Sequence, residues 1–261
     1  MTPLLKVNKL SKVFGGLRAV SGFEIELNKG ELIGLIGPNG AGKTTCFNML
    51  TGVYEPSEGD ILFDGKSVVG FKPFEITQRG IARTFQNIRL FAELSVLDNV
   101  KIAYHFHVKY GLLDAFLHTP QYFMEEAEIE QKAIKLLEIF QLQDKKDEIA
   151  KNLPYGEQRR LEIARALAAQ PKLLLLDEPA AGMNPQETQQ LMEMIRWIRE
   201  KFDLTILLIE HDMNLVMGVC ERIYVLDYGT VIAHGTPAEI KANHRVIEAY
   251  LGVEEVHDAN D

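Results

Sequence analysis

The chain has 261 residues, 46% of them hydrophobic and 25% charged, with a formal net charge of −9. That is enough apolar material for one large core or two small ones, and the acidic balance argues against a nucleic-acid footprint. Two cysteines, Cys46 and Cys220, are too few for a disulfide framework, which leaves a reducing compartment as the default. The opening "MTPLLKVNKLSKVF" has no apolar signal-peptide core, and no run approaches the roughly 18 apolar residues of a membrane span. A cytoplasmic protein is expected, with any membrane contact made through a partner.

In chain order, residues 4–28 alternate, "LLKVNKLSKVF" and then "FEIELNKG", which predicts two strands joined by a turn at Gly15 and Gly16. "ELIGLIG" is a continuous apolar run ending in glycine and reads as a buried strand. "KTTCFNMLTG" reads as a short helix closed by Gly52, and "EPSEGDILFDGKSV" as a hairpin. In "EEAEIEQKAIKLLEIFQLQ", Ile129, Ala133, Leu136, Leu137 and Phe140 recur at helical spacing. "GEQRRLEIARALAAQ" is a further helix. "KLLLLDEP" is a buried strand, "PQETQQLMEMIRWIREKFD" an amphipathic helix and "LTILLIEHD" another strand. "RIYVLDYGTVIAHG" reads as a hairpin, followed by a helix to about Leu251 and a frayed tail.

This alternation predicts an α/β fold: a mostly parallel core sheet, an antiparallel β subdomain at the N-terminus, and a helical subdomain inserted between two halves of the core. The segment boundaries place 1–89 and 154–261 in the core and 90–153 in the helical insertion.

Residues 37–44 match G-x-x-x-x-G-K-[ST] between a strand and a helix. Glycines there let backbone N–H groups converge on an anion, and the following helix adds the positive end of its dipole. Gly37, Pro38, Asn39, Gly40, Ala41, Gly42, Lys43, Thr44 and Thr45 are thus the expected phosphate cradle. Lys43 would reach the β- and γ-phosphates, and the Thr44 hydroxyl would ligate Mg²⁺. Asp177, at the end of a second buried strand, can hold Mg²⁺, and Glu178 beside it is placed to act as general base on a water.

The order of these parts resembles the nucleotide-binding domain of an ABC (ATP-binding cassette) transporter, over nearly the whole chain. "RTFQN" resembles the Q-loop, "LPYGEQRRLEIARAL" the signature segment, "PAAGMNP" the D-loop and "IEHDM" the switch segment. The resemblance implies a P-loop NTPase of the ABC-ATPase fold that hydrolyses ATP with Mg²⁺. It implies that Gln86 contacts Mg²⁺ and senses the γ-phosphate, that His211 contacts the γ-phosphate, and that Phe14 stacks on adenine. It further implies a head-to-tail dimer, homo- or heteromeric, in which Gly156 approaches the ATP of the other subunit in trans. Transmembrane permease subunits would hold the chain at the cytoplasmic face of the plasma membrane. Two segments depart from the family pattern: in the signature, Pro154 and Tyr155 replace the serine and a glycine of Leu-Ser-Gly-Gly-Gln, and in the D-loop Asn184 stands where aspartate is common.

The long segment 103–127 and the "YGEQRRLEIARAL" form of the signature are most similar to the ATPases of branched-chain amino acid importers. Relatives that serve lipopolysaccharide export, or urea and other small solutes, share these features. A soluble ABC ATPase without a transporter and an ATP-bound switch are the readings from other classes. Residues 85–100, with Ile88, Leu90, Phe91 and Leu94, are expected to form the groove that receives a permease helix.

Overall fold

The computed structural model describes residues 2–250, which fall into two compact units. One runs up to Arg83 and resumes at Lys172; the other is Thr84–Pro171. In the first, β1 (Leu5–Phe14) and β2 (Leu17–Leu27) pair antiparallel across the turn at Gly15, whose φ of 56° suits a residue without a side chain. β3 (Leu32–Ile36) is buried at all five positions, as a strand covered on both faces must be. It runs through the glycine loop into α1 (Lys43–Leu50). β4 (Glu58–Phe63) and β5 (Lys66–Ser67) form a hairpin through Asp64 and Gly65, both at positive φ, as a two-residue hairpin turn requires. A single turn, α2 (Pro73–Gln78), leads to the three-residue β6 (Ile81–Arg83).

The second unit contains α3 (Val96–Tyr104), capped by the Ser95 hydroxyl, then α4 (Leu112–Leu117), α5 (Pro120–Ile139) and α6 (Tyr155–Ala168). The predicted periodicity of α5 is realised, with Ile129, Ala133, Leu136 and Leu137 all buried. α6 packs on α3 and α5. The compact helical unit is therefore wider than 90–153, because the apolar face of α6 needs those helices as its partner.

The chain then returns through β7 (Leu173–Asp177), α7 (Pro185–Lys201), β8 (Thr205–Ile209), α8 (Met213–Val219), β9 (Arg222–Asp227), β10 (Thr230–Gly235) and α9 (Pro237–Lys241). Two sheets result. The antiparallel one has the order β2-β1-β4-β5 and the larger one β10-β9-β3-β8-β7-β6. In the larger sheet β9, β3, β8, β7 and β6 run parallel, and only β10 returns antiparallel. One apolar cluster, including Phe23, Phe47, Leu35 and Leu207, joins the two sheets to α1.

The expected single helix to Leu251 is two pieces among the described residues. α9 ends at Lys241, and residues 244–250 form a separate helix. Asn243 separates them, its side-chain oxygen accepting from the Arg245 and Val246 amides as a cap. Leu251 and the tail expected to fray lie outside the described residues.

Candidate functional site

Three adjacent strands, β3, β8 and β7, end level with one another: Leu35 pairs with Ile209, and Ile209 with Asp177. Each of the three strands leads, at that edge, into a segment that carries charged side chains. Such carboxyl ends of parallel strands are where open α/β sheets take ligands.

After β3 comes the glycine loop. A Cβ at Gly37 (φ 152°) would lie 1.9 Å from the Leu226 carbonyl oxygen, and one at Gly42 (φ 102°) 2.7 Å from that of Ala19. Both glycines are thus required by close backbone approach as well as by conformation. Gly42 caps α1 without any side-chain hydrogen bond, leaving that helix end to an incoming group. Lys43 is buried, and its Nζ donates to the Gly37 and Pro38 carbonyls at 2.7 and 2.9 Å. Burial lowers its pKa, against the opposing pull of Glu178 and Asp177. Thr44 is exposed at the start of the helix.

After β7, Asp177 is buried and paired with the Arg83 guanidinium at 2.5 Å, while Arg83 also donates to the Asn48 side-chain oxygen of α1 at 2.7 Å. Glu178 takes φ 46°, an uncommon conformation for a side chain of its size, and its N–H donates to Ile209 at 2.9 Å. Its carboxylate lies 2.7 Å from His211 Nε2; since an ionised carboxylate only accepts, Nε2–H is the donor.

After β8, Glu210 is buried. One of its oxygens accepts from the Ala180 amide at 2.7 Å and the other from the His211 and Asp212 amides at 2.9 and 3.3 Å. It therefore joins the segment after Glu178 to the segment that carries His211. Asn184, the D-loop departure, caps α7 by accepting from the Gln186 and Glu187 amides.

Lys43, Asp177, Glu178 and His211 thus belong to one edge of one sheet. Sequence reasoning missed Arg83 and Glu210. The only available signal for either was a charged residue at the end of an apolar strand. Phe14 ends β1 half-exposed, meeting Tyr54 edge-on at 5.2 Å, with Lys12 Nζ 5.1 Å from its ring centre. Gln86 and Gly156 belong to the helical unit. The Gln86 side chain is exposed, and a Cβ on Gly156 would meet no heavy atom within 4 Å.

The residues present suit Mg²⁺: a hydroxyl and a carboxylate are the hard oxygen donors it takes. Among the described residues no group of three or more metal-ligating side chains occurs.

A glycine loop on a helix start, a buried aspartate followed by a half-buried glutamate, and a histidine just past a strand end define a phosphate-loop ATPase site. The sequence matches the ABC transporter family model over residues 20–181 and that of the branched-chain amino acid ATP-binding cassette transporters over residues 230–256. It is 50% identical over 250 residues to the high-affinity branched-chain amino acid transport ATP-binding protein LivG of Escherichia coli K12, spanning 96% of this chain and 98% of that one. It is 44% identical, with the same coverage, to BraF of Pseudomonas aeruginosa, named for the same transport. Its structure superimposes with a TM-score of 0.83 on the ADP conformation of MJ1267, an ATP-binding cassette of an ABC transporter, at 32% identity over 97% of this chain and all of that one. The chain belongs to the ATP-binding cassette family of ABC transporter ATPases, and ATP is its substrate.

Proposed function

We propose that this chain is the ATP-hydrolysing subunit of a branched-chain amino acid importer. The carrying observation for catalysis is the Glu178–His211 pair, 2.7 Å apart beside Lys43. Glu178 takes the proton of the attacking water, and His211 orients that water and meets the γ-phosphate. Lys43, on leaving the Gly37 and Pro38 carbonyls, meets the β- and γ-phosphates, which are far stronger acceptors. Thr44 and Asp177 would hold Mg²⁺, with Gln86 contacting it, and the ion when bound would neutralise phosphate charge. Phe14 carries the adenine.

The N-terminal turn of α6, whose N-cap Pro154 makes no side-chain capping bond, supports an approach to a second subunit's ATP in trans, with Gly156 offering backbone where Pro154 has replaced a serine. Glu157, the acid in that turn, is paired with Lys145 at 2.7 Å, which relieves its repulsion of phosphate. Among the described residues no helix is long and apolar enough to cross a membrane. Permease subunits therefore carry the solute and hold this chain at the cytoplasmic face of the membrane. The names of the relatives support amino acids as the solute over lipopolysaccharide or urea.

Glu178→Gln tests the catalytic half. ATP binding should persist while turnover falls by at least about 100-fold, the usual contribution of a general base. Turnover near the wild-type rate would overturn the assignment. Uptake of labelled leucine by cells carrying Lys43→Ala as their sole copy tests the solute. It should be abolished, and unimpaired uptake would sink the importer reading.

A further inference from the structure

The helical unit contains a buried ion pair that the catalytic reading does not use. Arg159 and Glu162 lie one turn apart on α6, are 0% and 1% exposed, and meet at 2.7 Å. Neither is satisfied by the other alone. Arg159 donates through Nη1 to the Phe85 carbonyl at 2.6 Å and through Nη2 to the Gln86 carbonyl at 2.8 Å, with the Tyr155 hydroxyl at 3.2 Å. Glu162 accepts from the Phe85 amide at 3.3 Å and the Arg89 amide at 3.1 Å. The carbonyls on either side of Gln86, and the Phe85 and Arg89 amides that bracket it, are thus held on α6, while the Gln86 side chain stays exposed.

The pairing has a physical consequence. A charge taken out of water needs all its hydrogen-bond partners, and an ion pair alone seldom offsets its desolvation. Here the missing partners are main-chain groups of residues 85–89. If that segment lifts from α6, two buried charges lose partners together. The segment therefore cannot move independently of the helix, although a Pro-free loop of this kind would otherwise be pliable.

We propose that Arg159 and Glu162 are positioning residues for ATP hydrolysis: they fasten the backbone of Gln86 to α6, so that Gln86 and Gly156 ride on one rigid body. The consequence rests on the proposed function, in which Gly156 meets the partner's ATP and Gln86 attends its own. Burial pushes the Glu162 carboxyl upward against the pull of Arg159, so its charge depends on that partner.

The test is the double variant Arg159→Met with Glu162→Leu, which removes both charges at once and leaves neither stranded. ATP affinity should stay within about threefold of wild type, while kcat falls about tenfold or more, a change of about 1.4 kcal/mol. Hydrogen exchange at the Phe85 and Arg89 amides should accelerate by about tenfold or more, because their acceptor is gone. Gln86→Ala is the companion: it should lower kcat and leave that exchange unchanged. Unchanged exchange in the double variant would overturn the clamp. Faster exchange with wild-type kcat would overturn its role in hydrolysis. Normal turnover in Gln86→Ala would overturn the reading of Gln86 itself, whatever the exchange shows. Should the double variant not fold, Glu162→Gln reads the same amides, since its single remaining acceptor cannot serve both Arg159 and the loop.

Discussion

Glu210 offers the sharpest test of how the hydrolytic edge is assembled. Its two oxygens serve three amides, those of Ala180, His211 and Asp212, at 2.7, 2.9 and 3.3 Å. Glu210→Ala leaves the Ala180 amide without an acceptor in a buried place and the His211 amide without one in a half-buried place. Each unpaired buried donor is worth about 1–3 kcal/mol, and water entering the vacated space recovers part, so a loss of about 3 kcal/mol is expected. For a chain of this size that lowers the melting temperature by about 6–12 °C. Glu210→Gln should fall between, because an amide accepts at one end only and opposes its own N–H₂ to a donor at the other. Turnover should drop by about tenfold or more in Glu210→Ala, since the peptide that carries His211 loses its tie, while ATP affinity changes little. Thermal unfolding and steady-state hydrolysis read both effects. A melting temperature within about 1 °C of wild type together with normal kcat would refute the argument.

The same residue predicts a pH effect. Burial chiefly, with the charge of Glu178, raises the Glu210 pKa above the ordinary glutamate value, even against its backbone hydrogen bonds. Only between the ordinary glutamate pKa and the raised one does the native state hold a proton that the unfolded chain has lost. That contribution to stability is present on the acid side and is lost as pH rises through the folded pKa. The melting-temperature gap between wild type and Glu210→Gln should accordingly widen on going from about pH 7 to about pH 5. A gap that narrows would contradict the sign. In Lys43→Ala, calorimetry should detect no ATP binding, because the phosphates lose their main cation; normal affinity would unseat the glycine loop as the phosphate site. Phe91→Asp or Leu94→Asp alters residues that are 47% and 37% exposed, so the free ATPase should remain folded and active. Co-purification with the permease and transport should both fall; if both variants assemble and transport normally, the groove lies elsewhere.

Much of the site was legible in the sequence because its signals are local. The loop 37–45 announces itself through glycines whose left-handed φ values no other residue adopts cheaply, set between a five-residue apolar run and a helix. Asp177 ends, Glu178 directly follows and His211 lies two residues past strands that read as continuous apolar segments, so their place at a strand end needed no knowledge of the fold. The periodicity of α5 likewise named its buried residues in advance. Where local signals are short they failed. The three residues of β6 have no measurable period, and the break at Asn243 depends on a cap that composition alone does not separate from an interior asparagine.

Only the tertiary structure could show what holds these groups in place. Arg83 meets Asp177 across 94 positions, Glu210 reaches Ala180 across 30, and Arg159 reaches Gln86 across 73. Each partner lies beyond the reach of any helical or strand period. In the sequence, all three charged residues are ordinary. What makes them decisive is burial, which removes water as an alternative partner and leaves one arrangement of main-chain and side-chain groups able to satisfy them.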